Sequence, residues 1–412
     1  MKILFLADAV FEDKPGGSRM VAWELGHGLA RRGHDVTFLV ARHSADAPDE
    51  EWQPDDVRVI RYGGAGRVLN YVRCGQEACA KLLRENEPAF DIVHTHFAYA
   101  SVGPLRAIPT SVARVRTFHG PWDEEGWAEE SGQGGVVSTV RARVKRSIRA
   151  QIETSSLRGS AQILTLSQCF RRLAAERSSL SPDKITVIPG GADSLRFQPA
   201  EDQARCRREL GLPLDRRIMI SVRRLAARMG LDNLVRAMPE ILRRRPDTLL
   251  LIGGVGPERA RLESLIAAMG LECAVRMVGF IPEELLVTYY QAADLFVLPT
   301  LALEGFGLVT TEALACGLPV IGTPIGATPE ILGRIDPRLI ATGTTPQALS
   351  EAILGFWEGD WASALTPALL HRHVEEHYSW DRHITATEAV YRKALAAPAF
   401  LPKSTEPNLR PS

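Results

Sequence analysis

The chain lacks most of what marks a secreted, membrane-spanning or nucleic-acid-binding protein. Its six cysteines are scattered through 412 residues without a C-x-x-C pair. That argues against a disulfide framework and fits a reducing, cytoplasmic setting in which thiols serve as small apolar fillers. No uninterrupted apolar run approaches the roughly 18 residues that a membrane-spanning helix needs. The apolar start Met1–Asp8 is too short for a signal peptide and has no small-residue cleavage site, so it reads as a first strand. Lys plus Arg equals Asp plus Glu at 49 each, so bulk charge points to no polyanionic partner and no nucleic acid. The turn after the first strand, Ala7-Asp-Ala-Val-Phe-Glu-Asp-Lys-Pro-Gly16-Gly17, has no G-x-G-x-x-G, which argues against NAD.

What is present is a soluble α/β pattern long enough for two domains: 45% hydrophobic and 24% charged residues. Short apolar runs at 3–7, 36–40, 57–60, 92–95, 112–118 and 163–167 read as strands of a parallel sheet buried on both faces. Ser18–Arg32 between the first two has Val21, Leu25 and Leu29 at helical spacing and Gly33 as its stop. A second series runs through 218–222, 249–252, 275–278, 295–298 and 320–322. The expected architecture is two Rossmann-like halves facing across a cleft, with ligands at the carboxyl ends of the strands. The Pro/Gly-rich run around 189–199 is the linker, which sets the domains at 1–192 and 193–379. A helix over about 380–396 completes the first domain, and 397–412, with several prolines, reads as a disordered tail.

The most informative stretch is Leu298 to Val320. Glu304 and Glu312 stand eight residues apart, separated by a glycine-rich bend and the start of a helix. Gly305 and Gly307 let backbone N–H groups approach a ligand, and a helix start favours negative charge. Phosphate on the amides and hydroxyls on the carboxylates points to a nucleotide sugar. On this reading Glu312, in the second helical turn, faces the same mouth as Glu304.

With those residues, the chain resembles the family 4 retaining glycosyltransferases of GT-B fold over nearly its whole length. Glu304-Gly-Phe-Gly-Leu-Val-Thr-Thr-Glu312 is similar to that family's E-x7-E signature. Pro15-Gly16-Gly17, Phe118-His119-Gly120, Val187-Ile-Pro-Gly-Gly191, Gly253-Gly-Val-Gly256-Pro257, Val278-Gly-Phe280-Ile281-Pro282 and Gly326-Ala-Thr-Pro-Glu330 follow in the family's order. The resemblance implies transfer of a sugar from a UDP- or GDP-sugar to an acceptor hydroxyl. Retention through a front-face route, no metal and no organic cofactor are also implied. It assigns His119 to the donor sugar near the reacting carbon, Glu304 to sugar hydroxyls and Glu312 to the ribose. Arg224 and Arg228 fall to the diphosphate, with the amides near Gly307 and Leu308. Gly16, Gly17, Gly256 and Phe306 belong to the donor site, and backbone at Phe280 and Ile281 to the base. One departure stands out: Met229 occupies the place of the family's lysine. The adjacent Arg228 is the natural replacement, because a guanidinium can fork onto phosphate oxygens; Arg223, in place of a usual glycine, is a weaker one.

Two alternatives stay open on the sequence, a nucleotide-sugar 2-epimerase of the same fold and a non-catalytic nucleotide-sugar-binding subunit. The pair His94 and His96 shares a strand face but has no further ligand at metal-binding spacing, so no metal site is expected. Val136–Ile152 carries Val137, Val140, Val144 and Ile148 at helical spacing among Arg141, Arg143, Lys145, Arg146 and Arg149. It reads either as a helix packed on the sheet with a solvated basic face or as a peripheral contact with the inner, anionic membrane face. The acceptor, whether sugar, glycolipid or small alcohol, is not legible.

Overall fold

A computed structural model describes residues 1–44, 46–63, 68–85, 90–130 and 136–396. The first half builds one eight-stranded sheet from β1 (Lys2–Ala7), β2 (Asp35–Ala41), β3 (Glu50–Gln53), β4 (Val57–Tyr62), β5 (Ile92–Thr95), β6 (Ala113–Phe118), β7 (Gln162–Thr165) and β8 (Ile185–Val187), in the order β3-β4-β2-β1-β5-β6-β7-β8. Every pairing is parallel except β3 with β4. The central strands are apolar because helices cover both faces. Ile3, Phe5, Val36, Phe38, Ile92 and Val115 share one cluster, while Leu4, Leu6, Leu39 and Val93 fill another on the opposite face.

Strand β3, Glu-Glu-Trp-Gln, is the element that hydrophobic periodicity does not reveal. It is an edge held by antiparallel pairing with β4 and by the ion pairs Glu50–Arg58 and Glu51–Arg61.

The second half is a five-stranded parallel sheet of β9 (Arg217–Val222), β10 (Thr248–Gly253), β11 (Val275–Gly279), β12 (Leu295–Leu298) and β13 (Val320–Gly322), ordered β11-β10-β9-β12-β13. The order reverses between β9 and β12, so the loops after these two strands open side by side at the carboxyl edge. An isolated bridge joins Ala192 to Ser379, after which the chain returns to the first half. There the helix Trp380–Ala396 buries Ile384, Val390 and Tyr391 in the same cluster as Phe5 and Leu25. Glu388 on this helix pairs with Arg32 and His34, and the Tyr391 hydroxyl lies 2.6 Å from His94 Nδ1. The expected tail at 397–412 lies outside the described residues.

The basic helix runs from Val136 to Arg158. Its inward face is Ala142, Glu153 and Leu157, with Glu153 paired to the buried Arg116 at 2.7 Å. The apolar stripe points the other way: Val140, Val144 and Ile148 are 54%, 54% and 51% exposed. Packing on the sheet therefore does not account for these residues; the side chain of Val137 lies outside the described ones. Among the described residues no helix is long and apolar enough to cross a membrane.

Candidate active site

One wall of the cleft forms where β12 gives way to the glycine bend. Glu304 Oε2 accepts hydrogen bonds from Arg223 Nη2 at 2.7 Å and from Thr300 Oγ1 at 2.8 Å. Arg223 Nη1 donates to the same Thr300 oxygen at 2.7 Å, which closes a triangle. The ion pair is well sheltered, with side chains 6% and 12% exposed. Burial pulls the Arg223 pKa below its ordinary value, and Glu304 opposes that shift. Backbone holds the carboxylate in place as well, because Ala327 N–H donates to the Glu304 carbonyl at 3.0 Å. Gly307 caps the helix Leu308–Ala315 at φ 83°, a left-handed conformation that a side chain disfavours. A Cβ there would lie 3.5 Å from Glu304 Oε1, so that oxygen is turned toward the bend and the helix start. Arg223, weighed on sequence only as a weaker phosphate ligand, is thus the direct partner of the first signature carboxylate.

The loop after β9 brings the remaining cations. Arg224 is exposed at its start. Gly256 fits closely beneath the loop, since a side chain there would collide with the Leu225 carbonyl. Arg228 Nη1 donates to the Leu303 carbonyl at 3.0 Å, and its Nη2 lies 3.6 Å from Glu125 Oε1 of the first half. Leu303 carries φ 61°, and Arg228 steadies it one residue before Glu304. Met229 is buried. The side chain at the lysine position therefore points inward, and its neighbour Arg228 joins Arg223 beside the bend.

Glu312 has partners of its own. It does not join the Arg223–Thr300–Glu304 triangle; its oxygen accepts from Tyr290 at 3.2 Å. Burial, reinforced by the neighbouring Glu283 carboxylate, pushes its pKa up to about 7 against the opposing pull of Tyr290 and Arg196. This carboxylate lies by the helix Glu283–Ala292, which follows Phe280 and Ile281. Phe280 is 62% exposed, whereas the Ile281 side chain is buried against Gly253.

The opposite wall comes from the first half. Gly16 stands at the start of the helix Gly17–Arg31, and a Cβ on Gly17 would lie 3.7 Å from Leu308. Gly190 faces Phe306 and Leu308, and Gly305 faces the His119 carbonyl and Phe170, each so closely that a Cβ would fall within 3.1 Å. These glycines let the two halves touch around the bend. Phe306 itself is buried against Tyr378, so its ring is a packing element of the hinge. The His119 ring has Nε2 2.9 Å from His96 Nδ1 and stacks on Phe97, while its Nδ1 is buried without a hydrogen-bond partner among the described residues. Burial drives its pKa down to about 3, so the imidazole is neutral near pH 7. His94 is taken up by Tyr391 and Thr117. Among the described residues no three metal-capable side chains gather.

Three features escaped the sequence reading. Asp8, at the end of β1, is paired with Arg19 and accepts from the Tyr99 hydroxyl at 2.7 Å. Glu330 reaches from the second half to accept from the Gln168 and Cys169 amides at 2.8 Å each, at the N-terminus of the helix Gln168–Ser178. Glu125 meets Arg228 as described. The signal for Asp8 is a carboxylate at a strand's carboxyl end, and for Glu330 the block Gly326–Glu330, which did not reveal its partners; Glu125 has no signal, because Arg228 lies far away in sequence. A cavity of about 680 Å³ lies behind the cleft, between Val187–Pro189, Glu330 and the segment from His377 to Ala389. Its lining includes none of Glu304, Arg223, Arg224 and Arg228, so it is a hinge cavity distinct from the glycine bend.

Residues 202–364 match the family described as Glycosyl transferases group 1, and residues 15–196 match Glycosyltransferase Family 4. A GDP-mannose-dependent alpha-(1-6)-phosphatidylinositol monomannoside mannosyltransferase from Mycolicibacterium smegmatis is 37% identical, covering 78% of this chain and 81% of its own length. The chain belongs to the family 4 glycosyltransferases. A D-inositol 3-phosphate glycosyltransferase from Acidothermus cellulolyticus is 28% identical to this glycosyltransferase over 92% of the chain and 86% of its own length. Among solved structures, a sucrose-phosphate synthase from Thermosynechococcus elongatus superposes with TM-score 0.78 at 26% identity, covering 96% of this chain and all (100%) of that one. The fold is GT-B.

Proposed function

We propose that this glycosyltransferase moves a hexosyl group, with retention, from a nucleoside diphosphate sugar to a hydroxyl of an inositol-bearing lipid at an anionic membrane surface. The observation that carries the donor half is the Arg223–Thr300–Glu304 triangle set in the glycine bend before the helix Leu308–Ala315, opposite Gly16 and Gly17. Sugar hydroxyls find acceptors on Glu304, and the diphosphate finds N–H groups at the helix start and cations on Arg224 and Arg228. Charge growing on the leaving diphosphate is met by these groups without a metal. Neutral His119 lines the reacting side, contributing its polar backbone and an uncharged ring. Glu312 accepts from the ribose, and the backbone at Phe280 and Ile281 faces the base.

The acceptor half rests on two supports. Relatives are named for inositol-bearing acceptors, one of them GDP-mannose-dependent and acting on a phosphatidylinositol mannoside. The helix Val136–Arg158 presents Val140, Val144 and Ile148 to solvent with Arg141 and Arg143 on the flanks. An exposed apolar stripe edged by arginine suits the headgroup region of an anionic bilayer. The chain then works from the cytoplasmic face as a peripheral protein.

The test is a panel of UDP- and GDP-sugars offered with phosphatidylinositol-containing vesicles. Labelled lipid product supports the reading, whereas conversion of donor alone without acceptor points to an epimerase and binding without turnover to a non-catalytic subunit. Activity that survives chelator supports the metal-free assignment. In parallel, Val144→Glu should abolish co-sedimentation with anionic vesicles. Unchanged sedimentation removes the helix from the proposal.

A further inference from the structure

Three acidic residues open the helix Trp122–Glu130, and they are used differently. Asp123 and Glu124 are both held by Arg177, within their own half of the molecule. Glu125 turns toward the cleft. Its Oε1 would lie 3.1 Å from a Cβ on Gly120, directly after His119, and stands 3.6 Å from Arg228 Nη2 across the cleft. The backbone supports that approach, because this helix packs on the turn Ala227–Met229 that carries Arg228. Arg228 is also tied to the Leu303 carbonyl beside Glu304, and its Nε is buried without a hydrogen-bond partner among the described residues. One guanidinium thus links a carboxylate of the acceptor half to the bend of the donor half.

A carboxylate beside a diphosphate clamp is unfavourable for phosphate unless it is neutralised, and here it occupies the cation that phosphate needs. We propose that Glu125 is the counter-ion of Arg228 in the donor-free enzyme, and that the diphosphate displaces it. Arg228 then passes from a cross-cleft ion pair to the phosphate oxygens. The helix Trp122–Glu130 is untied from the donor half at the moment the donor arrives. Glu125 is a positioning residue in this scheme, acting on the diphosphate through Arg228. The inference rests on the assignment of Arg228 to the diphosphate.

The experiment is calorimetric titration of the full-length protein with UDP and GDP, in the wild type, Glu125→Gln, Arg228→Gln and the double variant. Removing the competing charge should tighten the dissociation constant about tenfold in Glu125→Gln. Against the Arg228→Gln background the same change should have no effect, because the cation it competes for is gone. An unchanged or weaker constant in Glu125→Gln overturns the proposal, as does equal tightening in both backgrounds. If the wild type binds neither nucleotide, or Arg228→Gln binds as the wild type does, the donor-site reading fails instead.

Discussion

Glu304 and Glu312 come from one short motif, yet the fold places them in opposite electrostatic settings. Glu304 lies against a buried guanidinium and a hydroxyl, both donating to it. Glu312 is sheltered beside another carboxylate, with a phenol as its hydrogen-bond donor, and its pKa rises to about 7. The contrast shows that the motif's two carboxylates are not an interchangeable pair. One carboxylate sits against a buried cation, and the other in a setting where its charge varies near neutrality.

Substitutions can break that contrast, and the largest effect belongs to Glu304. Glu304→Gln keeps the shape and the Thr300 contact, and should lower transfer by about two to three orders of magnitude in kcat/KM. Glu304→Ala does more damage, because it strands Arg223 in a buried site. Breaking such a pair costs about 3–5 kcal/mol, so its melting temperature should fall well below that of Glu304→Gln. Equal melting temperatures would show that Arg223 finds another partner.

The next effect is a pH profile. A carboxyl whose pKa is raised in the folded protein favours folding fully below its unfolded value, near 4.5, and loses that contribution as pH rises through about 7. Stability of the wild type relative to Glu312→Gln should therefore decline between these limits. Nucleoside diphosphate affinity should move the other way, because the ionised carboxylate is the better acceptor for ribose hydroxyls. The difference in affinity between wild type and Glu312→Gln should widen up to pH 8, and a flat difference would contradict the setting described. His119, neutral across this range, should add no inflection.

The smallest effect belongs to Glu330, whose carboxylate bridges the halves at a helix N-terminus. Glu330→Ala should cost about 1 kcal/mol, read as a small drop in the denaturation midpoint, with the Glu312 pH profile unchanged.

Much of this molecule was legible in the sequence because its strands are apolar runs and its helices have clear stops. Thr366 caps the helix Pro367–His377 by accepting from the Leu369 amide, and Gly33 ends the first helix, both as the residue types require. Strand β3 was not legible, because a polar edge strand is specified by its partner and not by periodicity. The same holds within the site. Glycine spacing located the bend at 305–307, but the partner of Glu304 depends on a loop some 80 residues earlier, and that of Arg228 on a helix in the other half. Spacing did not reveal the partner of Glu312 either, because the helix sets it against Tyr290 on a neighbouring helix.

The central claim is that the pocket around Glu304 holds the sugar of a nucleotide donor. Its most direct test compares wild type and Glu304→Gln for binding of a nucleoside diphosphate and of the corresponding nucleotide sugar, taken from the donor panel. The account predicts that Glu304→Gln leaves the diphosphate affinity near that of the wild type and removes the added affinity contributed by the sugar. Equal loss for both ligands, or no loss for either, would contradict it.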